Sequence, residues 1–287
     1  MNKFAALLKK DYWIYRKNLL IPIWITLGYY FLVLIGLIIG YIKMGGDFQM
    51  HIQGLELFED RSMTYSMNYL INLSIVSLPG ILSLIFTIIL TQGALNEDIR
   101  QNYELFHRSQ PVSIWQRSLS KFTMGIAGNW VVLALIIAFT FIIINLILII
   151  FGQFSFWASL SGSLQGFFIY ARLGLLVGAI CFFLSALFKD KAFLQGLAIL
   201  VGIQFLFMIL NTLLGWKLPL PLYYLYQLVK IKTVINLTNN FDTAQITALI
   251  KEGWKISVFN WKTLLQIAIS GVLFFGATII YKLKEIK

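Results

Sequence analysis

The chain has almost none of the residues that perform catalysis or hold metals. Its 287 residues include one cysteine, Cys181, and 2 histidines, His51 and His107. A lone cysteine excludes an intramolecular disulfide, and its place in an apolar run argues against redox chemistry. In the topology derived below the two histidines fall on opposite sides of a membrane and cannot share a metal within one chain. The phosphate-loop pattern GxxxxGK(S/T) is missing, and so are HExxH and GxSxG. No ATPase or hydrolase site is legible, so the chain is expected not to be an enzyme and to bind no cofactor or metal of its own. Charge is scarce as well: Asp, Glu, Lys and Arg make up 12% of the residues. None of the 12 carboxylates lies in a long apolar run. Ion-coupled carriers commonly use an intramembrane acid, and intramembrane proteases or transferases need polar groups at depth, so both classes lose ground. If the protein transports, its energy comes from another polypeptide.

What is present is apolar. Hydrophobic residues make up 59% of the chain and mean hydropathy is +0.80. Runs at 19–42, 69–90, 127–151, 167–188, 192–214 and 264–281 each reach the roughly 18–20 residues that cross a hydrocarbon core as a helix. The alternating ten-residue pattern of a membrane β-barrel is absent. The expected fold class is all-α: a polytopic membrane protein of six transmembrane helices. The first run is too long for a secretory signal and is followed by Lys43, Met44 and Gly45 rather than a small-residue cleavage site, so it should remain as a span.

Orientation follows from the basic residues. With six spans both termini share a side, and that side receives 14 Lys and Arg against 8 in the longer opposite loops. Both termini, with the 92–121 segment, are therefore expected in the cytoplasm, and the protein in the cytoplasmic (inner) membrane as a multi-pass chain. The net charge of +11 is mostly this topology signal. It faces anionic lipid rather than nucleic acid, because no basic domain exists outside the spans.

Residues 1–18 place Phe4, Leu7, Leu8, Tyr12 and Tyr15 on one face at helical spacing, with Lys3, Lys10 and Lys17 on another. That pattern predicts a separate amphipathic helix in the cytoplasmic interface, since the stripe exceeds what a basic topology flank needs. Residues 215–263 are long for a plain connection. A helix is expected over 243–252, with Asp242 as its N-cap, Gln245 three residues on and Gly253 just past its end, and Trp254 and Trp261 suit an interface. This segment reads as short or re-entrant helices on the outer side, either a lid over a pathway exit or a structural cap.

Within the spans, Gly36 with Gly40 and Gly174 with Gly178 form GxxxG pairs, and Pro79 with Gly80 should interrupt the second span. Arg172, the one charge inside any span, has two readings: it snorkels or pairs structurally, or it lines a cavity of the pathway and contacts an anionic group.

The densest polar stretch is 92–121, where seven charges interleave with Tyr103, Leu105, Phe106 and Trp115. A solvated loop does not explain those apolar residues. Residues 97–121, EDIRQNYELFHRSQPVSIWQRSLSK, resemble the cytoplasmic segment between the second and third spans of ABC-2 type (type V, six-span) permeases. That family has an acidic start, a short helix, a Pro-Val-Ser turn and a lysine opening the third span. Glu97 and Asp98 match the start, Pro111, Val112 and Ser113 the turn, and Lys121 the lysine. Asn102 and Tyr103 depart from the family's usual Gly-Thr.

The resemblance implies a permease subunit of an ATP-binding-cassette transporter, an exporter working as a dimer with a second copy or paralogue. Separate ATPase subunits would carry ATP and Mg. It also implies that Glu97, Asp98, Arg100, Tyr103, Glu104, Phe106, Arg108, Pro111, Val112 and Ser113 couple the chain to the ATPase, with the interfacial helix (Phe4, Leu7, Leu8, Lys10, Tyr12) as a second brace. A non-transporting scaffold that recruits a cytoplasmic partner through 92–121 is the competing reading. A polytopic enzyme runs third, being short of catalytic residues. The apolar spans with scattered Asn, Ser and Thr suit lipids, peptides and hydrophobic drugs alike.

Overall fold

The computed structural model describes residues 3–44, 61–96, 112–150, 154–188, 191–230 and 243–285. Every element among them is helical. In chain order they are α1 (Lys3–Met44), α2 (Arg61–Ile75), α3 (Ser77–Thr91), α4 (Ile114–Thr123), a π-helical turn (Met124–Gly128), α5 (Asn129–Ile150), α6 (Phe156–Leu187), α7 (Ala192–Leu214), α8 (Pro221–Val229), α9 (Thr243–Ser257) and α10 (Trp261–Glu285). Six helical stretches are long and apolar enough to cross a membrane, which makes this a multi-pass membrane protein by length and composition.

Helix α6 is the hub, packing against α2, α3 and α10. Its glycines set how closely the others approach. At Gly162 an added Cβ would sit 2.4 Å from the Tyr69 carbonyl oxygen and 3.1 Å from the Leu73 amide nitrogen, so α2 and α6 meet backbone to backbone. One turn on, Gly166 receives Val76, and Gly178 receives Thr87 and Ile126. Small residues at an i, i+4 spacing are what allow such contact where lipid supplies no hydrophobic drive between helices. Gly174 and Gly178 thus serve packing inside the chain, whereas a Cβ at Gly36 would meet nothing within 4 Å.

The second span is two helices, with Val76 as the break. Pro79 has no N–H to offer the carbonyl four residues back, and the ladder resumes where the Gly80 amide donates to the Val76 carbonyl at 2.9 Å. Gly80 then lies under the Tyr170 ring, 2.3 Å from where its Cβ would stand. The third span carries the π turn, which inserts an extra residue just before Asn129.

Several expectations are corrected. The helix over residues 1–18 is not separate: α1 runs unbroken from Lys3 to Met44. No glycine or proline precedes Pro22 in it to end a first segment. At 1.5 Å per residue α1 is about 63 Å long, roughly twice the hydrocarbon thickness. The third span begins at Ile114 rather than near 127, so Arg117 and Lys121 belong to a helix that buries them. α6 starts at Phe156, earlier than hydropathy marks, because Ser159, Ser163 and Gln165 are covered by protein. Gly253 does not terminate α9, which continues to Ser257. It is buried against the Tyr69 hydroxyl and the Gln165 amide, where a side chain would hold the helices apart. Trp261 is exposed, but Trp254 is half-buried and donates from Nε1 to Ser161 Oγ at 2.9 Å. Asp242 lies outside the described residues.

Candidate functional site

One end of the bundle gathers residues far apart in sequence. The Asn96 side chain, just past α3, donates to the carbonyls of Ser185 and Phe188 at the end of α6. Lys121 Nζ donates to the Ala94 carbonyl at 2.6 Å. Ser120 Oγ donates to the buried Asp11 carboxylate at 2.5 Å, tying α4 to α1. Lys284 Nζ donates to the carbonyls of Ala186 and Leu187, tying α10 to the same end of α6. The N-terminal part of α1, the flanks of the 97–111 segment, the C-terminal end of α6 and the end of α10 therefore share one face of the molecule.

Of the expected coupling residues, Glu97, Asp98, Arg100, Tyr103, Glu104, Phe106, Arg108 and Pro111 lie outside the described residues. Val112 and Ser113 lie within them. Ser113 is extended (φ −69°, ψ 148°) and caps α4, its Oγ accepting from the Gln116 amide at 3.3 Å. Among the brace residues Leu7 is buried, Phe4, Leu8 and Lys10 are half-buried, and Tyr12 is exposed. The face of α1 turned to protein runs through Leu7, Asp11, Leu19, Thr26 and Tyr30, and Tyr30 donates to Thr140 Oγ1 of α5 at 2.7 Å. Asp11 and Asn96 are residues of this end that the sequence did not single out. Asp11's i, i+4 spacing from Leu7 was the available signal; nothing local marks Asn96, whose partners lie about ninety residues away.

A polar row fills the middle of the bundle. Asn68 accepts from Ser159 Oγ at 3.1 Å and Asn72 from Ser163 Oγ at 3.2 Å, matching one turn of α2 to one turn of α6. Further along, the Asn129 amide reaches the Ser83 carbonyl at 2.7 Å and Thr87 Oγ1 at 2.6 Å. The Tyr69 hydroxyl donates to Gln165 Oε1, whose amide donates to Ser257 Oγ at 2.6 Å, so α2, α6 and α9 are cross-linked. These contacts act as interhelical ties, with Asn129 Oδ1 left buried and without a donor among the described residues.

Arg172 is tied into the bundle and also borders a cavity. Its Nη1 donates to the Ser257 carbonyl and to Thr263 Oγ1, across the junction of α9 and α10. It also lines a cavity of about 470 Å³ with Lys230, Lys255, Lys262, Glu252 and Phe259. The chain thus presents a clamped end flanking 97–111 and, toward the other end, a cation-rich cavity. No group of three or more His, Cys, Asp or Glu that could hold a metal occurs among the described residues. No family model, curated protein or solved structure matches the chain.

Proposed function

We propose that the chain is the permease subunit of an ATP-binding-cassette exporter of the ABC-2 type. Two permeases, identical or paralogous, form the pathway, and two separate ATPase subunits dock on residues 97–111. That segment is cytoplasmic in this reading, as are both termini. ATP and Mg act in the partner, whose closure moves the segment as a body.

The observation that carries the reading is mechanical. The segment leaves α3 at Asn96, fixed to α6, and returns into α4, fixed to α1 through Ser120 and Asp11 and to residue 94 through Lys121. A push on 97–111 therefore reaches α1, α3, α4 and α6 together, because packed, hydrogen-bonded elements shift as units rather than deform continuously. The N-terminal part of α1, longer than a membrane crossing needs, is the second brace.

The test is reconstitution with the ATPase encoded nearest to the chain. The pair in lipid should hydrolyse ATP at a rate that depends on the permease, and the permease alone should not hydrolyse it. A recovered partner without a nucleotide site would indicate the scaffold instead. Substrate movement by the chain with no ATPase present would refute the assignment.

A further inference from the structure

We propose that the cavity around Arg172 is a binding site for a phosphoryl oxyanion of the kind an anionic amphiphile carries in its headgroup. Four cations line it, Arg172, Lys230, Lys255 and Lys262, and one carboxylate, Glu252. Arg172 makes no ion pair with any described residue. Its Nη1 is spent on two neutral oxygens, while its Nε is buried with no acceptor among the described residues. An orphan guanidinium donor beside a cavity is a costly feature for a membrane protein to keep, because a buried N–H without an acceptor is unfavourable unless something meets it. A guanidinium fork suits a phosphate oxygen pair, and lysine ammonium groups add point charge around it.

Two lysines are already placed. Lys262 Nζ donates to the Gln227 carbonyl at 2.9 Å, closing α8 onto α10, and Lys230 lies 5.6 Å from the Tyr226 ring centre. Lys255 is exposed at the cavity rim with Glu252 one turn before it.

Position favours a headgroup. α10 begins at Trp261 and Lys262, residues that anchor helices where hydrocarbon meets water, and Arg172 bonds to Thr263 in its first turn. The cavity therefore opens at the level of the lipid headgroups, with Phe259 and the aromatic side chains of α8 exposed beside it. An amphiphile could place its phosphate on Arg172 and keep its tails against those apolar surfaces.

This inference does not rest on the transporter reading, since binding is measured on the full chain without any ATPase. The purified protein is given phosphatidylglycerol or phosphatidylcholine in detergent, and retained lipid is counted by native mass spectrometry. Wild type should retain phosphatidylglycerol preferentially. Lys230→Gln with Lys255→Gln, both on exposed lysines, should lower its affinity on the order of tenfold, and Arg172→Lys, which keeps the charge but loses the fork, should do likewise. Lys9→Gln with Lys17→Gln, at the other end, should not lower it. Competition by millimolar inorganic phosphate would show that the site accepts the free oxyanion, and no competition that it needs the lipid headgroup; either outcome supports the site. Unchanged retention in the Lys230, Lys255 double variant overturns the proposal, and that variant decides the matter should Arg172→Lys fail to fold.

Discussion

Gly162 shows most clearly what one residue decides in this bundle. Its missing side chain lets the Tyr69 carbonyl lie where a Cβ would stand, and the obstacle is backbone, which cannot swing aside. Gly162→Ala should therefore lower stability by about 1–3 kcal/mol, the usual cost of overpacking a tight contact. Gly36→Ala, with nothing among the described residues within 4 Å of the added methyl, should cost nothing. Thermal unfolding of the two variants in the same detergent checks the contrast. Asn96 is the second decisive residue. Asn96→Ala removes the donor to the Ser185 and Phe188 carbonyls, a loss of about 1–3 kcal/mol if those carbonyls stay buried. If Asn96 holds the segment to α6, assembly with the ATPase should survive while transport per ATP hydrolysed falls. Spacing alone made Gly174 and Gly178 visible, yet the tightest approach to another helix's backbone is at Gly162. A small residue's partner is set by how helices cross, which no single-chain pattern encodes.

Among the elements, hydropathy located the core of every span and both ends of α7, but few of the other ends. Apolar windows stop at the first serine or lysine, whereas helices continue wherever another helix covers the polar side chain. That is why α6 begins at Phe156 and why α4, with buried Arg117, Ser120 and Lys121, joins the third span. The break at Val76 was legible from Pro79. The unbroken α1 was not, since a basic flank with an apolar stripe has the same composition whether it lies flat or extends the span. The π turn before Asn129 has no signature in the sequence. Orientation rests on the 14 to 8 basic asymmetry. A cysteine placed at Asn240 should react with an impermeant reagent from outside intact cells, and the buried Cys181 should contribute little background. Labelling only after permeabilisation would reverse the topology.

For the whole molecule, the distribution of packing is uneven. α6 is the most buried span, while α7 buries only Ala192 and most of α1 turns apolar side chains outward. Lipid or a second copy of the chain must cover those faces. The clamped end is compact and polar, with Asp11, Asn96, Arg117 and Lys121 all buried there. A rigid end carrying a charged segment, joined to helices with open apolar flanks, suits a device that converts a push at one end into motion between subunits.

The most direct test of that account reverses the charges on the segment itself. A docked helix desolvates its ion pairs, so Arg100→Glu with Glu104→Lys should weaken ATPase docking, with about 2–5 kcal/mol lost for each buried charge left unpaired. The quantity to measure is the fraction of ATPase recovered with the affinity-purified permease. The account predicts that recovery collapses in the double variant while the permease itself stays folded and in the membrane. Recovery equal to wild type would mean that 97–111 is a passive loop, and the proposed transmission through Asn96, Lys121 and Asp11 would be wrong.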